Sequence, residues 1–349
     1  MLVTELKLNN YRNYPSIIFN FDPNLNIIVG KNGVGKTNIL ESLVVVSNTK
    51  SFRTINDQDL IKKDKEYLRI EAKDEKDIYK IVINKDSKSL FINNNLIKKS
   101  SEFIGKVNAI LFKPSDLELF NQSPKERRKL LDIEIGKVSP KYLTALLRYK
   151  SLLKDKNNLL KEKDINQTLL DVIEETMIPE IKIIIEERIR FFSIINQYIS
   201  DIYRQISNTD SKIEIIYKKC SEIENIKENL MKNKDKDLYY HYAAFGPHHE
   251  DYYFKMDDYD LNSIASQGQK RMVLISFKLA LVKYIEETNN TLPLILLDDI
   301  LSELDEHNQE RLFKVIPDNT QVIITNTDIN NIKINKHYKL ITLKEAQDV

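Results

Sequence analysis

Asn26-Ile27-Ile28-Val29-Gly30-Lys31-Asn32-Gly33-Val34-Gly35-Lys36-Thr37-Asn38-Ile39-Leu40 decides the fold. Residues 26–29 read as a short apolar strand. They run into the pattern G-x-x-x-x-G-K-T at residues 30–37. A helix over residues 37–46 follows, with Ile39, Leu40, Leu43 and Val44 as its apolar face. Strand, glycine loop and helix, in that order, are the context a phosphate-binding loop requires. Its backbone N–H groups form a nest around the phosphates, and glycine tolerates the turns and the close approach. The next helix points its positive end at the same anion. The pattern therefore assigns nucleotide binding to Gly30, Lys31, Asn32, Gly33, Val34, Gly35, Lys36 and Thr37. Lys36 is placed to reach the β- and γ-phosphates, and the Thr37 hydroxyl to ligate Mg2+.

Working outward, the chain has only 7 glycines in 349 residues, where about 7% is usual. Backbone freedom is thus concentrated in the loop, which holds Gly30, Gly33 and Gly35. Lys and Arg number 53 against 52 Asp and Glu, so no global field announces nucleic acid, and DNA binding must rest on local patches. Cys220 stands alone, which excludes disulfide frameworks and cysteine metal sites within one chain and suits a reducing cytoplasm. No apolar run approaches the ~20 residues of a membrane span. Residues 1–10 alternate like a strand and carry Glu5, unlike a signal peptide. A cytoplasmic protein with no membrane partner is expected.

Residues 2–8 and 17–21 read as strands, and residues 68–72, 78–83 and 89–92 as an antiparallel meander. Helical periodicity dominates residues 123–238. Ile181, Ile185, Phe192, Ile195, Ile199, Ile202 and Ile206 form a stripe broken only by the step across Arg188, and residues 143–160 are a candidate partner helix. Strand and helix alternate again after Tyr239, with helices over 268–287 and 309–315 and core strands over 294–297 and 321–325. Three segments follow: 1–120, an inserted helical arm over 121–238, and 239–349. The sheet is split in sequence around the insertion.

Leu294-Ile295-Leu296-Leu297-Asp298-Asp299 is an apolar run closed by two carboxylates. In phosphate-loop enzymes the first such aspartate supports Mg2+. The second is placed to orient or deprotonate water. Lys36, Asp298 and Asp299 are therefore the catalytic candidates, and Thr37 and Asp298 the metal candidates. Ser266-Gln267-Gly268-Gln269 opens an apolar helix about thirty residues earlier, with Ser266 a candidate N-cap. His248 and His249 suggest a metal, but adjacent histidines chelate one ion badly and no matching carboxylate set accompanies them, so a turn or interface role is expected.

This combination resembles the ATP-binding cassette superfamily and, within it, the SMC-like branch. Residues 30–37 look like its Walker A, 266–269 like its signature motif, 294–299 like its Walker B, and Ser302 to Asp305 like its D-loop. The resemblance implies an α/β, ABC-type ATPase head with a split sheet, an antiparallel side sheet and an inserted helical subdomain. It also implies an ATP-dependent homodimer in which Walker A of one chain faces Ser266, Gln267, Gly268 and Gln269 of the other. A narrower match is to the RecF family, carried by Asn10-Tyr11-Arg12-Asn13-Tyr14, the glycine loop, Asn38 to Glu41, Lys50-Ser51-Phe52-Arg53, Phe112-Lys113-Pro114-Ser115-Asp116-Leu117, Ser123-Pro124 through Arg127-Arg128 to Leu131-Asp132, and Gly246-Pro247-His248. It implies a weak Mg2+-dependent ATPase of DNA repair. Duplex DNA and single-/double-strand junctions are its implied substrates, and RecO and RecR its partners in loading RecA. The chain departs from the family at His249, where arginine is usual, and at Thr325-Asn326-Thr327, where no histidine occupies the switch after the last core strand. Lys125, Arg127, Arg128 and Lys129 are the candidate DNA contacts. Arg12, Asn13 and Arg53 are candidates for the nucleotide edge or for structural roles. The nucleotide-binding subunit of a transporter, another SMC-like ATPase and a small-molecule kinase are the alternatives.

Overall fold

A hairpin of β1 (Glu5–Tyr11) and β2 (Tyr14–Asn20) opens the chain, with Leu6 opposite Phe19 and Leu8 opposite Ile17. The structure, a computed structural model, describes residues 2–334 and 336–344. After β3 (Leu25–Val29) and the glycine loop comes α1 (Lys36–Asn48). The meander follows as β4 (Tyr67–Lys73), β5 (Ile78–Asn84), β6 (Lys88–Ile92) and β7 (Asn95–Ile97), then β8 (Ala109–Phe112). Hairpin and meander make one antiparallel sheet in the order β2-β1-β4-β5-β6-β7.

α1 packs against β8 of a second sheet and against β4 and β5 of the first. Lying between two sheets, it is buried almost all round, and Val45 and Val46 are as buried as Ile39, Leu40 and Leu43. The one-sided face read from sequence understates this helix, because apolar residues all round are what a helix covered on both sides carries. Its two buried serines are paired: Ser42 donates to the Ile39 carbonyl, and Ser47 accepts from the Ala109 N–H.

The middle of the chain contains α2 (Pro124–Gly136), α3 (Pro140–Leu159), α4 (Gln167–Ser207), β9 (Ile213–Lys218), α5 (Ile226–Tyr240), β10 (Asp251–Met256), β11 (Tyr259–Asp260) and the short α6 (Leu261–Ile264). α2 begins with a capping box, Ser123 and Glu126 each bonding the other's backbone N–H. Residues 118–200 and 211–267 form one compact unit, and residues 1–117, 201–210 and 268–349 the other. The expected helical segment, 121–238, is not the boundary of that unit. β9, hidden in an isoleucine-rich stretch read as helical, pairs antiparallel with β10, Ile215 opposite Phe254. That pairing ties residues 251–256 into the middle unit.

The isoleucine stripe of α4 is buried throughout, and Arg188 belongs to it, at 2% exposure. Its guanidinium pairs with Asp132 at 2.8 Å and with Glu250, and also bonds the Tyr142 hydroxyl and the Pro247 carbonyl. A second buried cation, Lys156, lies between Glu174 at 2.7 Å and Asp237 at 2.6 Å. His248 sits in a turn beside this network. Its Nε2 lies 3.0 Å from the Ala243 carbonyl and its Nδ1 2.5 Å from the Tyr149 hydroxyl, and burial lowers its pKa to about 4.

The chain closes with α7 (Gln267–Asn289), β12 (Leu294–Asp298), α8 (Glu306–Val315), β13 (Val322–Asn326) and β14 (Lys339–Thr342). β14 is an edge strand not legible in the sequence. The second sheet is wholly parallel, in the order β14-β3-β13-β12-β8. Its inner strands β3, β12 and β13 are buried at every position, as strands covered on both faces are.

Candidate nucleotide-binding site

Parallel sheets bind ligands beyond the carboxyl ends of their strands. Here β3, β13 and β12 end side by side, with Val29 opposite Asn326 and Asp298 opposite Thr325. The glycine loop leaves β3 at this edge and enters α1 through Gly35 at φ +107. A Cβ on Gly35 would lie 2.7 Å from Asn13 Nδ2 and 2.7 Å from the Tyr14 hydroxyl. The hairpin braces the loop from behind: Asn13 Nδ2 donates to the Val34 carbonyl at 3.1 Å, and Asn38 donates to Asn13 Oδ1 at 2.7 Å. Gly35→Ala therefore combines left-handed backbone strain with a clash, and should destabilise the protein by about 2–4 kcal/mol. A thermal melt checks this, and Gly33→Ala, where a Cβ meets nothing within 4 Å, should melt closer to wild type.

Lys36 and Thr37 begin α1. The Lys36 ammonium donates to the Gly30 carbonyl at 2.5 Å and the Lys31 carbonyl at 2.9 Å, folding the loop around its side chain. Burial lowers its pKa, and Asp299 and then Asp298 oppose the shift. The Thr37 hydroxyl donates to Asp298 Oδ1 at 3.0 Å across 261 residues of sequence. The Thr325 hydroxyl donates to the same oxygen at 2.7 Å. Burial raises the Asp298 carboxyl pKa, with the bonds from Thr325 and Thr37 pulling it down. Asp299 follows in a left-handed conformation, φ 53, which turns it out of the strand. Burial raises its pKa too, against Lys36 and with Glu303. A carboxylate with a raised pKa is the better proton acceptor.

A Thr37 hydroxyl and an Asp298 carboxylate are hard oxygen donors, and one or two protein oxygens completed by phosphate and water are what Mg2+ takes. The two residues fit that ion. Among the described residues no cluster of three or more His, Cys, Asp or Glu is grouped for a metal.

Sequence reasoning did not see how Glu41 anchors the site. It is fully buried in α1 and accepts two bonds from Arg12, at 2.9 and 2.6 Å, and one from Ser51 at 2.5 Å. Arg53 donates to Asn38 Oδ1 at 2.7 Å and lies 3.5 Å from Glu41. Two of the three nucleotide-edge candidates, Arg12 and Arg53, thus share a buried carboxylate behind the loop, and Asn13 holds the loop itself. The one acidic residue of α1, set between Leu40 and Leu43 of its apolar face, was the available signal.

Ser266, Gln267, Gly268 and Gln269 lie exposed at the start of α7. Arg271, two residues on, donates to the Glu303 carbonyl and forms an ion pair with its carboxylate, both at 2.9 Å. The helix start is thereby tied to the segment following Asp299. In that segment Ser302 donates to the Asp299 carbonyl at 2.7 Å, and Asp305 caps α8 through the Asn308 N–H at 2.8 Å. The basic cluster divides. Arg127 holds Asp251 through two bonds, at 2.9 and 2.6 Å, and Arg128 donates to the Glu250 carbonyl at 2.7 Å. Lys125 and Lys129 remain exposed.

Comparison with known proteins gives the family. Residues 2–348 match the family described as RecF/RecN/SMC N terminal domain. The chain is 34% identical to the DNA replication and repair protein RecF of Lysinibacillus sphaericus (strain C3-41), covering 99% of this chain and 97% of that protein. It is 33% identical to its counterpart in Bacillus mycoides (strain KBAB4), covering 100% and 96%. Among solved structures, the recombination mediator protein RecF-ATP in the RecFOR pathway aligns with a TM-score of 0.87 at 29% identity, over 95% of this chain and 93% of that one. The Smc head domain of Pyrococcus furiosus aligns with a TM-score of 0.55 at 19% identity, over 99% and 94%, and shares the fold. Phosphate loop, acidic strand end and full-length similarity agree, and the chain belongs to the RecF family of SMC-like ATPases.

Proposed function

We propose that this protein is an ATP-dependent, dimerising DNA-binding ATPase of recombinational repair and replication-gap processing. The observation that supports it best is the 3.0 Å bond from Thr37 to Asp298, which joins the phosphate loop to the acidic strand end. Two ATP molecules are held between two copies, Walker A of each facing the exposed residues 266–269 of the other. Mg2+ on Thr37 and Asp298 neutralises phosphate charge. Asp299 orients the attacking water. Its side chain is a methylene shorter than glutamate, so turnover is slow and ATP acts as a switch that holds the dimer until hydrolysis releases it. DNA is duplex or a single-/double-strand junction, with RecO and RecR as partners and RecA loading as the result, in a cytoplasmic setting. Exposed Lys125 and Lys129 are the DNA contacts retained from the basic cluster; Arg127 and Arg128 serve the middle unit.

Asp299→Asn should keep ATP bound unhydrolysed. Light scattering of this variant with Mg2+ is expected to give a monomer without ATP and a dimer with it. A monomer in both conditions, with ATP binding confirmed, would refute the ATP-held dimer.

A further inference from the structure

The most exposed large apolar side chain among the described residues is Ile55, at 97% exposure. It does not hang on a loose loop. The Thr54 hydroxyl donates to the Asp59 carboxylate and accepts the Asn56 N–H at 3.2 Å, and Asn56 Oδ1 accepts the Gln58 N–H at 3.1 Å. The same segment is tied to α1 behind the phosphate loop. Ser51 donates to Glu41, and its oxygen accepts the N–H groups of Arg53 at 2.9 Å and Thr54 at 3.2 Å, while Arg53 holds Asn38. An isoleucine left in water contributes no burial to the fold, and a braced loop presents it to a partner at little ordering cost. A second exposed isoleucine flanks the motif that faces the phosphate loop across the dimer. Ile264 ends α6, 47% exposed, two residues before Ser266. Its turn is fixed as well: Asp260 caps it through the Asn262 N–H at 2.8 Å, Asn262 donates to the Phe120 carbonyl at 2.7 Å, and Leu261 is buried.

We propose that Ile55 is an apolar anchor of the ATP-held dimer and seats against Ile264 of the second copy. The inference rests on the dimer reading above, which sets residues 266–269 of one copy on the phosphate loop of the other. Ile55 lies two residues from Arg53, the side chain that holds Asn38 beside that loop, and Ile264 lies two residues from Ser266. Two residues of chain span at most about 7 Å, so closing the site brings the two side chains within reach. A twofold dimer makes the contact twice, Ile55 of each copy on Ile264 of the other. Neither side chain carries a charge or a hydrogen-bonding group, so a nucleic-acid backbone has nothing to bond there, and a second apolar surface is what they fit. The contact gives ATP-dependent association a source of affinity separate from the phosphates.

The test uses Asp299→Asn as background, with the lone cysteine removed as Cys220→Ser, and Mg2+ with or without ATP. Chains carrying Ile55→Cys are mixed with chains carrying Ile264→Cys and treated with a short bis-maleimide. A covalent dimer is expected from the mixture with ATP, and neither without ATP nor from either variant alone. In parallel, Ile55→Ser is expected to raise the Kd of the ATP-bound dimer about 30- to 100-fold, with monomer ATP affinity within about twofold and an unchanged melt. Ile55→Leu keeps the apolar area and should hold the dimer Kd within about threefold. A dimer of undiminished strength in Ile55→Ser would overturn the proposal, even if DNA affinity fell. So would an ATP-dependent dimer that forms without the mixed cross-link. Absence of any ATP-dependent dimer in the background itself would overturn the dimer reading instead, so the two failures are distinguishable.

Discussion

Replacing Lys36 by alanine is expected to weaken ATP binding about 1000-fold and to abolish any ATP-dependent dimer. Hydrogen bonds to charged groups contribute about 1.5–3 kcal/mol each, and this ammonium is placed to bond both the β- and γ-phosphates. Losing about 4 kcal/mol corresponds to a thousandfold in Kd. The structure adds a second reason. The ammonium now folds the loop by bonding the Gly30 and Lys31 carbonyls, so its loss also relaxes the cradle before any ligand arrives. The fold should survive, because alanine leaves no unpaired charge in α1 and the Gly30 and Lys31 carbonyls lie on a loop with exposed residues. Isothermal titration with ATP, beside a thermal melt, checks both halves. Affinity within threefold of wild type would remove Lys36 from the phosphate site.

The second large effect lies away from the nucleotide. Arg188→Leu should destabilise the middle unit by about 3–5 kcal/mol, since removing one partner of a buried ion pair strands the others. Asp132, Glu250, the Tyr142 hydroxyl and the Pro247 carbonyl each lose a donor, and among the described residues the two carboxylates keep only Tyr142 and Lys150, and Tyr217 and the Cys220 N–H, respectively. Burial pushes the Asp132 carboxyl pKa up, but Arg188, then Lys150 and Tyr142, outweigh it and hold the pKa below its ordinary value. A depressed carboxyl pKa stabilises the fold above the unfolded value, about 3.9, and that stability is lost as pH falls through the folded value. Wild type should therefore lose stability on acidification below about pH 4, and Arg188→Leu should show a shallower acid dependence from a lower starting point. Calorimetry across that range decides it, and an unchanged melt at neutral pH would show that the network is dispensable.

Much of the site was legible in one dimension because its chemistry is local. The phosphate loop is eight consecutive residues whose glycines answer to backbone geometry, and the acidic pair is a strand's own end. The inner strands β3, β12 and β13 of the split sheet were legible as well, since they are continuous apolar runs. Three features were hidden for a common reason. β9 looks helical until its partner β10 is known, α1 looks one-sided until both sheets cover it, and Arg188 reads as a break in a stripe until its carboxylates arrive. Each depends on a neighbour distant in sequence, and burial is a property of pairs.

The sequence by itself determined the loop, the acidic strand end and the family, because those rest on residue type at short spacing. Tertiary structure alone decided which charges face solvent and which are consumed. It bound Arg127 to Asp251 and Arg12 to Glu41, and brought Thr37 to Asp298. A charged side chain has the same formula in either setting. Only the groups that surround it after folding set whether it holds the protein together or stays available to a ligand.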